Sequence, residues 1–308
     1  MGSDSTKEVE VRDLVDLIVL AALWGGSFLL LRLASPVFGP VFLIEMRVLT
    51  GLVVLLPILL YSGKLKELIS NWQILSLLSL TNMCLPFCLL AFTSLYLGAG
   101  TISILNATVP FFAATTGYFL FGQKVTLLSV FGLLLGFAGV VVLMAGDKQS
   151  AASGMTLLAF AAGLLAALMY GFSTNIINNR LLGVSGLAIT TGSLFFSVLY
   201  LLPLVLTWFR PEKLPGGAMW LYVLILGTVC TGLPYIMFYR LILKIGAYRS
   251  LTVTYLVPVF SILYGAILLA EPITGVMVLG ASLVLLGIAV TTGRLNVPAI
   301  LALRRSAK

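Results

Sequence analysis

Within the apolar stretch VFLIEMRVLT (41–50) stand a carboxylate and a guanidinium two residues apart, Glu45 and Arg47. On a helix such residues point roughly 200° from one another, so they are poor partners and each needs its own compensation. Arg47 is the leading intramembrane charge. It could bind a carboxylate in a cavity, pair with backbone carbonyls or snorkel to an interface. Four prolines interrupt other apolar runs, each one helical turn after a polar or thiol side chain: Asn82 before Pro86, Asn106 before Pro110, Cys230 before Pro234 and Thr254 before Pro258. A mid-helix proline withholds its N–H and clashes with the carbonyl four residues back, at about 3 kcal/mol in water. Pro86, Pro110, Pro234 and Pro258 are therefore candidate bending points.

Trp24, Ser27, Asn82, Asn106, Tyr170, Asn175, Tyr235, Tyr239, Thr254 and Tyr255 add rings, amides and hydroxyls to these runs. Such a set suits an amphipathic organic solute better than a bare ion. An asparagine one turn before a proline has a second use, stabilising the kink locally, and rings near helix ends also fit an interfacial belt. Glu271, in AEPIT, reads as a cap for the helix that follows it.

Other chemistries find no support. The chain has no histidine, and Cys84, Cys88 and Cys230 lie inside apolar runs, which supports neither a metal site nor disulfides. No GxxxxGK[ST] motif occurs, so hydrolysis of ATP is not expected; nor is any other enzymatic activity or cofactor. No basic stripe alternates with exposed aromatics, so nucleic acid is not an expected partner.

The elements that hold these residues follow from composition. The chain is 60% hydrophobic and 9% charged, outside the balance of a water-soluble domain. A helix crosses a hydrocarbon core with about 20 apolar residues. Ten such runs are predicted, at 15–34, 40–61, 72–92, 97–121, 126–145, 153–177, 184–209, 217–243, 247–269 and 272–292. The fold class is all-α integral membrane, and the lipid bilayer is a partner. No cleaved signal peptide is expected.

Residues 72–145 align with 220–293 at a constant offset of 148, which superposes Pro86 on Pro234, Pro110 on Pro258 and several glycines on glycines. At offset 146, Gly25, Ser27 and Pro57 meet Gly171, Ser173 and Pro203. The chain thus divides into a tail (1–14), a five-helix repeat (15–145), a linker (146–152), a second five-helix repeat (153–293) and a second tail (294–308). Five is odd, so the repeats are inverted, which is a transporter signature. Lys and Arg in the short loops put both termini in the cytoplasm. The glycine ladders GLLLGFAG (132–139) and GASLVLLG (280–287) read as close-packing faces, within the bundle or between protomers, so monomer and homodimer both stand.

This pattern, with Arg47 in the second span, Val-Pro in the fourth and ninth and AEPIT after the ninth, resembles the EamA-type ten-helix transporters of the drug/metabolite transporter superfamily over nearly the whole chain, from about Leu14 to Gly293. The family's acidic residue after the fourth and ninth helices is matched by Glu271 but replaced by Gln123 in the first half. The resemblance implies a bacterial inner-membrane exporter of amino acids or related metabolites, with aromatic amino acid exporters the nearest type. It also implies a central cavity lined by helices one, three, four, six, eight and nine. Without a deep, symmetric carboxylate pair, proton coupling is expected to be weak or absent. A multidrug cation or nucleoside-type efflux transporter comes second, because LIVLAALWGGSFLLL (17–31) has no acidic residue to bind a cation. A channel or scaffold would leave the inverted symmetry unexplained.

Overall fold

The computed structural model describes residues 11–123, 126–146, 154–209, 211, 215–245 and 253–291, less the side chains at 239, 240, 242, 243 and 245. Among the described residues the secondary structure is helical throughout, without strands. Helix α1 (Val11–Phe38) starts before position 15 and takes Asp13 onto its buried face. Gly39, at φ 74°, turns the chain into α2 (Pro40–Tyr61). Pro40 suits the first turn, where its missing N–H has no intrahelical partner to lose.

The short α3 (Leu65–Ser70) precedes α4 (Trp72–Ser79) and α5 (Leu85–Thr93), which are joined by one π-turn, Leu80–Cys84. The next run is broken into α6 (Ala99–Asn106) and α7 (Val109–Phe121). Then come α8 (Leu127–Gly146), α9 (Gly154–Arg180) and α10 (Gly186–Thr207). A second π-turn, Thr228–Gly232, joins α11 (Gly217–Gly227) to α12 (Leu233–Ile245). Helices α13 (Val253–Leu269) and α14 (Gly275–Thr291) complete the described chain.

Eight helical runs, counting α4–α5, α6–α7 and α11–α12 as one each, are long and apolar enough to cross a membrane; α13 and α14 are shorter apolar helices of 17 residues each. Their outward side chains are apolar: Leu127, Phe131 and Leu134 on α8 are all more than half exposed, as they would be against lipid.

The prolines explain the interruptions. Leu85 N–H reaches back five residues to Leu80 O, and Leu233 N–H to Thr228 O, so the chain takes one wide turn just before Pro86 and just before Pro234. A widened turn moves the preceding carbonyls off the proline ring and spares the helix a break. Pro110 opens α7 after a turn at Ala107–Thr108, whereas α13 runs through its mate Pro258 without interruption.

Packing has two-fold character. Helix α1 lies along α13, and α9 lies along α6 and α7; α2 packs on α10, and α8 on α14. Exchanging the two halves leaves these pairings unchanged. The glycine ladders close on each other within one chain. A Cβ placed on Gly287 would lie 2.5 Å from Gly136 N and 2.6 Å from Gly132 O, and one on Gly139 would lie 2.7 Å from Gly280 O. Those faces are therefore consumed by α8 and α14.

Outside the membrane-spanning helices, Glu67 on α3 accepts a 2.7 Å hydrogen bond from Ser185 N–H, at the cap of α10. Hydrogen bonding from the Ser185 side chain, then its backbone N–H, holds this carboxyl below the ordinary glutamate range. A depressed folded value means the contribution is complete above the unfolded pKa of about 4.3 and is lost as pH falls through the folded value. Thermal unfolding of Glu67→Gln in detergent is therefore expected to match wild type at strongly acidic pH and to fall below it at neutral pH.

Candidate functional site

Between the halves lies a cavity of about 170 Å³. An engineered cavity of about 150 Å³ takes up benzene, so this space is large enough for a ring-sized solute. Much of its wall comes in symmetry-related pairs. Trp24 and Tyr170 are mates at offset 146; Phe87 and Tyr235, Leu90 and Phe238, Asn106 and Thr254, and Val109 and Val257 are mates at offset 148. The cavity therefore sits on the pseudo-two-fold axis.

Arg47 breaks that symmetry. It is 4% exposed and lines the cavity, its Nε donates to Thr231 Oγ1 at 3.0 Å, and its guanidinium carbon lies 4.0 Å from the centre of the Phe87 ring. Thr231 belongs to the second π-turn, and its hydroxyl donates to Leu226 O five residues back at 2.8 Å. The wide turn thus presents the oxygen that orients the guanidinium. Among the described residues no carboxylate pairs with Arg47, and its contacts are a hydroxyl and a ring rather than backbone carbonyls.

Asn106 closes α6 where the helix breaks, and its Oδ1 is buried without a partner among the described residues. Trp24 stands edge-on to Tyr235 (5.9 Å, 68°) and Phe238 (5.3 Å, 61°), joining the first helix to the second half across the cavity. Ser27 and Thr254 add hydroxyls. Among the described residues the wall thus offers one cation, an unpartnered amide oxygen, hydroxyls and aromatic faces.

Not every residue singled out from the sequence is here. Asn175 is engaged elsewhere: its Nδ2 donates to Ala113 O (2.8 Å) and Thr116 Oγ1 (2.9 Å), and its Oδ1 accepts from Gln123 Nε2 (3.0 Å). It ties α9 to α7, and it does not line the cavity. Asn82 lies within the first π-turn and Tyr255 beside Thr254, and neither lines the cavity. The side chain of Tyr239 falls outside the described ones. Phe28, Phe87, Phe238 and Ser103 line the cavity without having been singled out. Phe87 and Phe238 were within reach of sequence reasoning, since Phe87 directly follows Pro86 and Phe238 is the mate of Leu90.

Charge pairs close the two ends of the bundle. At one end Arg32 donates to Ser94 O (2.7 Å) and Leu95 O (3.0 Å) and lies 3.8 Å from Glu271. Glu271 caps a different helix from the one expected. Its oxygens accept from Ala99 N–H at 3.0 and 3.3 Å, at the start of α6, because Gly98 and Gly265 leave room for the carboxylate to cross. Its mate Gln123 makes the same backbone bond, N–H to Gly117 O at 3.0 Å against Glu271 N–H to Gly265 O at 3.0 Å, but turns its amide to Asn175. At the opposite end Lys244 Nζ lies 2.8 Å from the buried Asp13.

The model of the EamA-like transporter family matches residues 15–145 and again 157–293. The chain belongs to the EamA-like transporter family. Like other EamA-like transporters it has two repeats, spans the membrane many times, and takes a small-molecule substrate. It is 25% identical over 296 residues to "Uncharacterized transporter YoaV" of Bacillus subtilis, covering 92% of this chain and 97% of that one. It is 24% identical over 292 residues to the "Probable amino-acid metabolite efflux pump" of Escherichia coli, covering 90% of this chain and 93% of the other. A solved structure titled "Crystal structure of protein" superposes with a TM-score of 0.66 at 18% identity, covering 97% of this EamA-like chain and all of the other, and so shares the fold.

Proposed function

We propose that this transporter exports amino acids, or closely related amphipathic metabolites, by alternating access across the bacterial inner membrane, with both termini in the cytoplasm. One observation carries the reading: Arg47, a buried cation without a carboxylate partner among the described residues, faces a ring-lined cavity on the pseudo-two-fold axis. A solute carboxylate supplies the missing counter-charge in a bidentate geometry. Its ammonium finds the Asn106 carbonyl, the hydroxyls and the faces of Trp24, Tyr170 and Tyr235. Its side chain takes the remaining, apolar space. The name of the E. coli relative supports the same class of solute.

A cationic-drug exporter is disfavoured, because its ligand would meet Arg47 and, among the described residues, no carboxylate on the cavity wall. A channel or scaffold would need neither a symmetric cavity nor a buried cation. The test is counterflow in liposomes: protein loaded with unlabelled amino acid exchanges it for external label, saturably and with a preference for aromatic or large apolar side chains. Absence of saturable exchange for every amino acid tested overturns the reading.

A further inference from the structure

We infer that Thr231 is a positioning residue that fixes the Arg47 guanidinium so that Nη1 and Nη2 receive a solute carboxylate end-on, an inference that rests on the transport reading above. Arg47 Nε has a proton to donate and no lone pair to accept with, so in the 3.0 Å contact Thr231 Oγ1 is the acceptor. The single hydroxyl proton goes to Leu226 O at 2.8 Å. The hydroxyl therefore has one assignment, and it cannot turn away from Arg47 without giving up the Leu226 bond. Both partners are buried, Thr231 at 0% and Arg47 at 4% exposed, so bulk water offers Nε no substitute.

Local structure brings the pair together. Gly227 closes α11 directly before the second π-turn, and a Cβ placed on it would lie 2.6 Å from Arg47 O. The second half thus touches α2 at the backbone of Arg47 itself. In a regular helix a threonine hydroxyl bonds three or four residues back; in the wide turn it reaches five back. The Phe87 ring, centred 4.0 Å from the guanidinium carbon, covers one face of the cation. A bond in the plane at Nε and a ring against the face together set the direction of the group. Among the described residues Nη1 and Nη2 make no hydrogen bond. Arg47 lines the cavity and Thr231 does not, so Nε is held on the wall side and the Nη edge is the one presented. A guanidinium can grip a carboxylate side-on, through Nε and one Nη, or end-on, through both Nη atoms. With Nε engaged, the end-on grip is the one left.

The repeat shows that the turn itself has no need of the hydroxyl. The mate of Thr231 at offset 148 is Met83, buried in the first π-turn, and the mate of Arg47 at offset 146 is Ser193. A π-turn of this fold forms around methionine, and the hydroxyl stands in the half where a guanidinium meets it.

Counterflow kinetics and magnetic resonance test this separately. In Thr231→Val, which keeps the shape and removes the acceptor, the buried Nε–H must turn to another oxygen. The KM for the amino acid should then rise about tenfold, with the maximal exchange rate within about twofold of wild type. Thr231→Ser restores the acceptor and should bring KM back to within about threefold of wild type. Thr231→Ala repeats the measurement without a methyl beside the guanidinium and guards against misfolding of the valine variant. In protein carrying isotopically labelled arginine, the Arg47 Nε–H resonance, identified by its loss in Arg47→Lys, should shift in Thr231→Val and return in Thr231→Ser, with or without solute. A KM unchanged in the valine and alanine variants, a fall in maximal rate that serine does not restore, or an unshifted resonance overturns the proposal. Absence of counterflow in wild type defeats the transport reading instead, and the resonance still decides whether Thr231 holds Arg47.

Discussion

Arg47→Ala is expected to lower amino acid counterflow roughly 100-fold or more, about 3 kcal/mol, the scale of losing one partner of a buried, hydrogen-bonded charge pair. The sign on stability is different. The guanidinium is buried against Phe87 and Thr231 with no counter-ion among the described residues, so removing it abolishes a desolvated charge rather than stranding one. Thr231 keeps its bond to Leu226 O. The variant should therefore melt within a few degrees of wild type while losing the rise in Tm that substrate gives wild type. Arg47→Lys retains the charge but not the planar fork or the stacking on Phe87, and should recover only part of the flux. A variant that unfolds, or one that transports normally, would remove Arg47 from the binding site.

A large structural effect is expected at Gly25, with its neighbour as control. A Cβ on Gly25 would lie 2.7 Å from Phe260 Cβ, 3.0 Å from Ser261 N and 3.2 Å from Val257 O, so α1 and α13 touch backbone to backbone there. Gly25→Ala forces the two helices apart, at about 1–3 kcal/mol or more, because backbone cannot swing aside as a side chain does. At Gly26 the nearest atom is the Tyr264 ring at 3.7 Å, an ordinary contact. Alanine at Gly26 should be neutral or stabilising by about 0.5–1 kcal/mol through helix propensity. Gly171, the mate of Gly25, has Ala113 N at 2.5 Å and Phe112 C at 2.6 Å, and Gly171→Ala should match Gly25→Ala in sign. Thermal unfolding in detergent measures all three; equal effects of alanine at Gly25 and Gly26 would contradict the close crossing.

Local properties of the chain were legible before any coordinates. Hydropathy marks the helical runs, and prolines in register at offset 148 reveal the repeat, because both depend on residue type and spacing alone. The pairs Trp24 with Tyr170 and Asn106 with Thr254 do line the cavity. What could not be read depends on contacts between distant segments. Asn106 and Asn175 look alike in sequence. Only the close approach at Gly171 brings the Ala113 carbonyl within reach of Asn175 and turns its amide away from the cavity. Glu271 precedes one helix and caps another, a choice made by the room at Gly98 and Gly265. The π-turns leave no sequence mark beyond the proline that follows each of them, and Pro110 and Pro258 show that a proline alone does not imply one.

The two π-turns, at Leu80–Cys84 and Thr228–Gly232, stand 148 residues apart, the same spacing as the repeat. Each is equivalent to one residue inserted into an α-helix, and deleting that residue would rotate everything beyond it by about 100°. Phe87 and Leu90 in one half, and Tyr235 and Phe238 in the other, would then leave the cavity. An insertion shared at the same register in both halves is most simply inherited from a single ancestral half that existed before the duplication. The wide turns are in that sense older than the cavity they now shape, and neither repeat can lose its own without putting the two walls out of register.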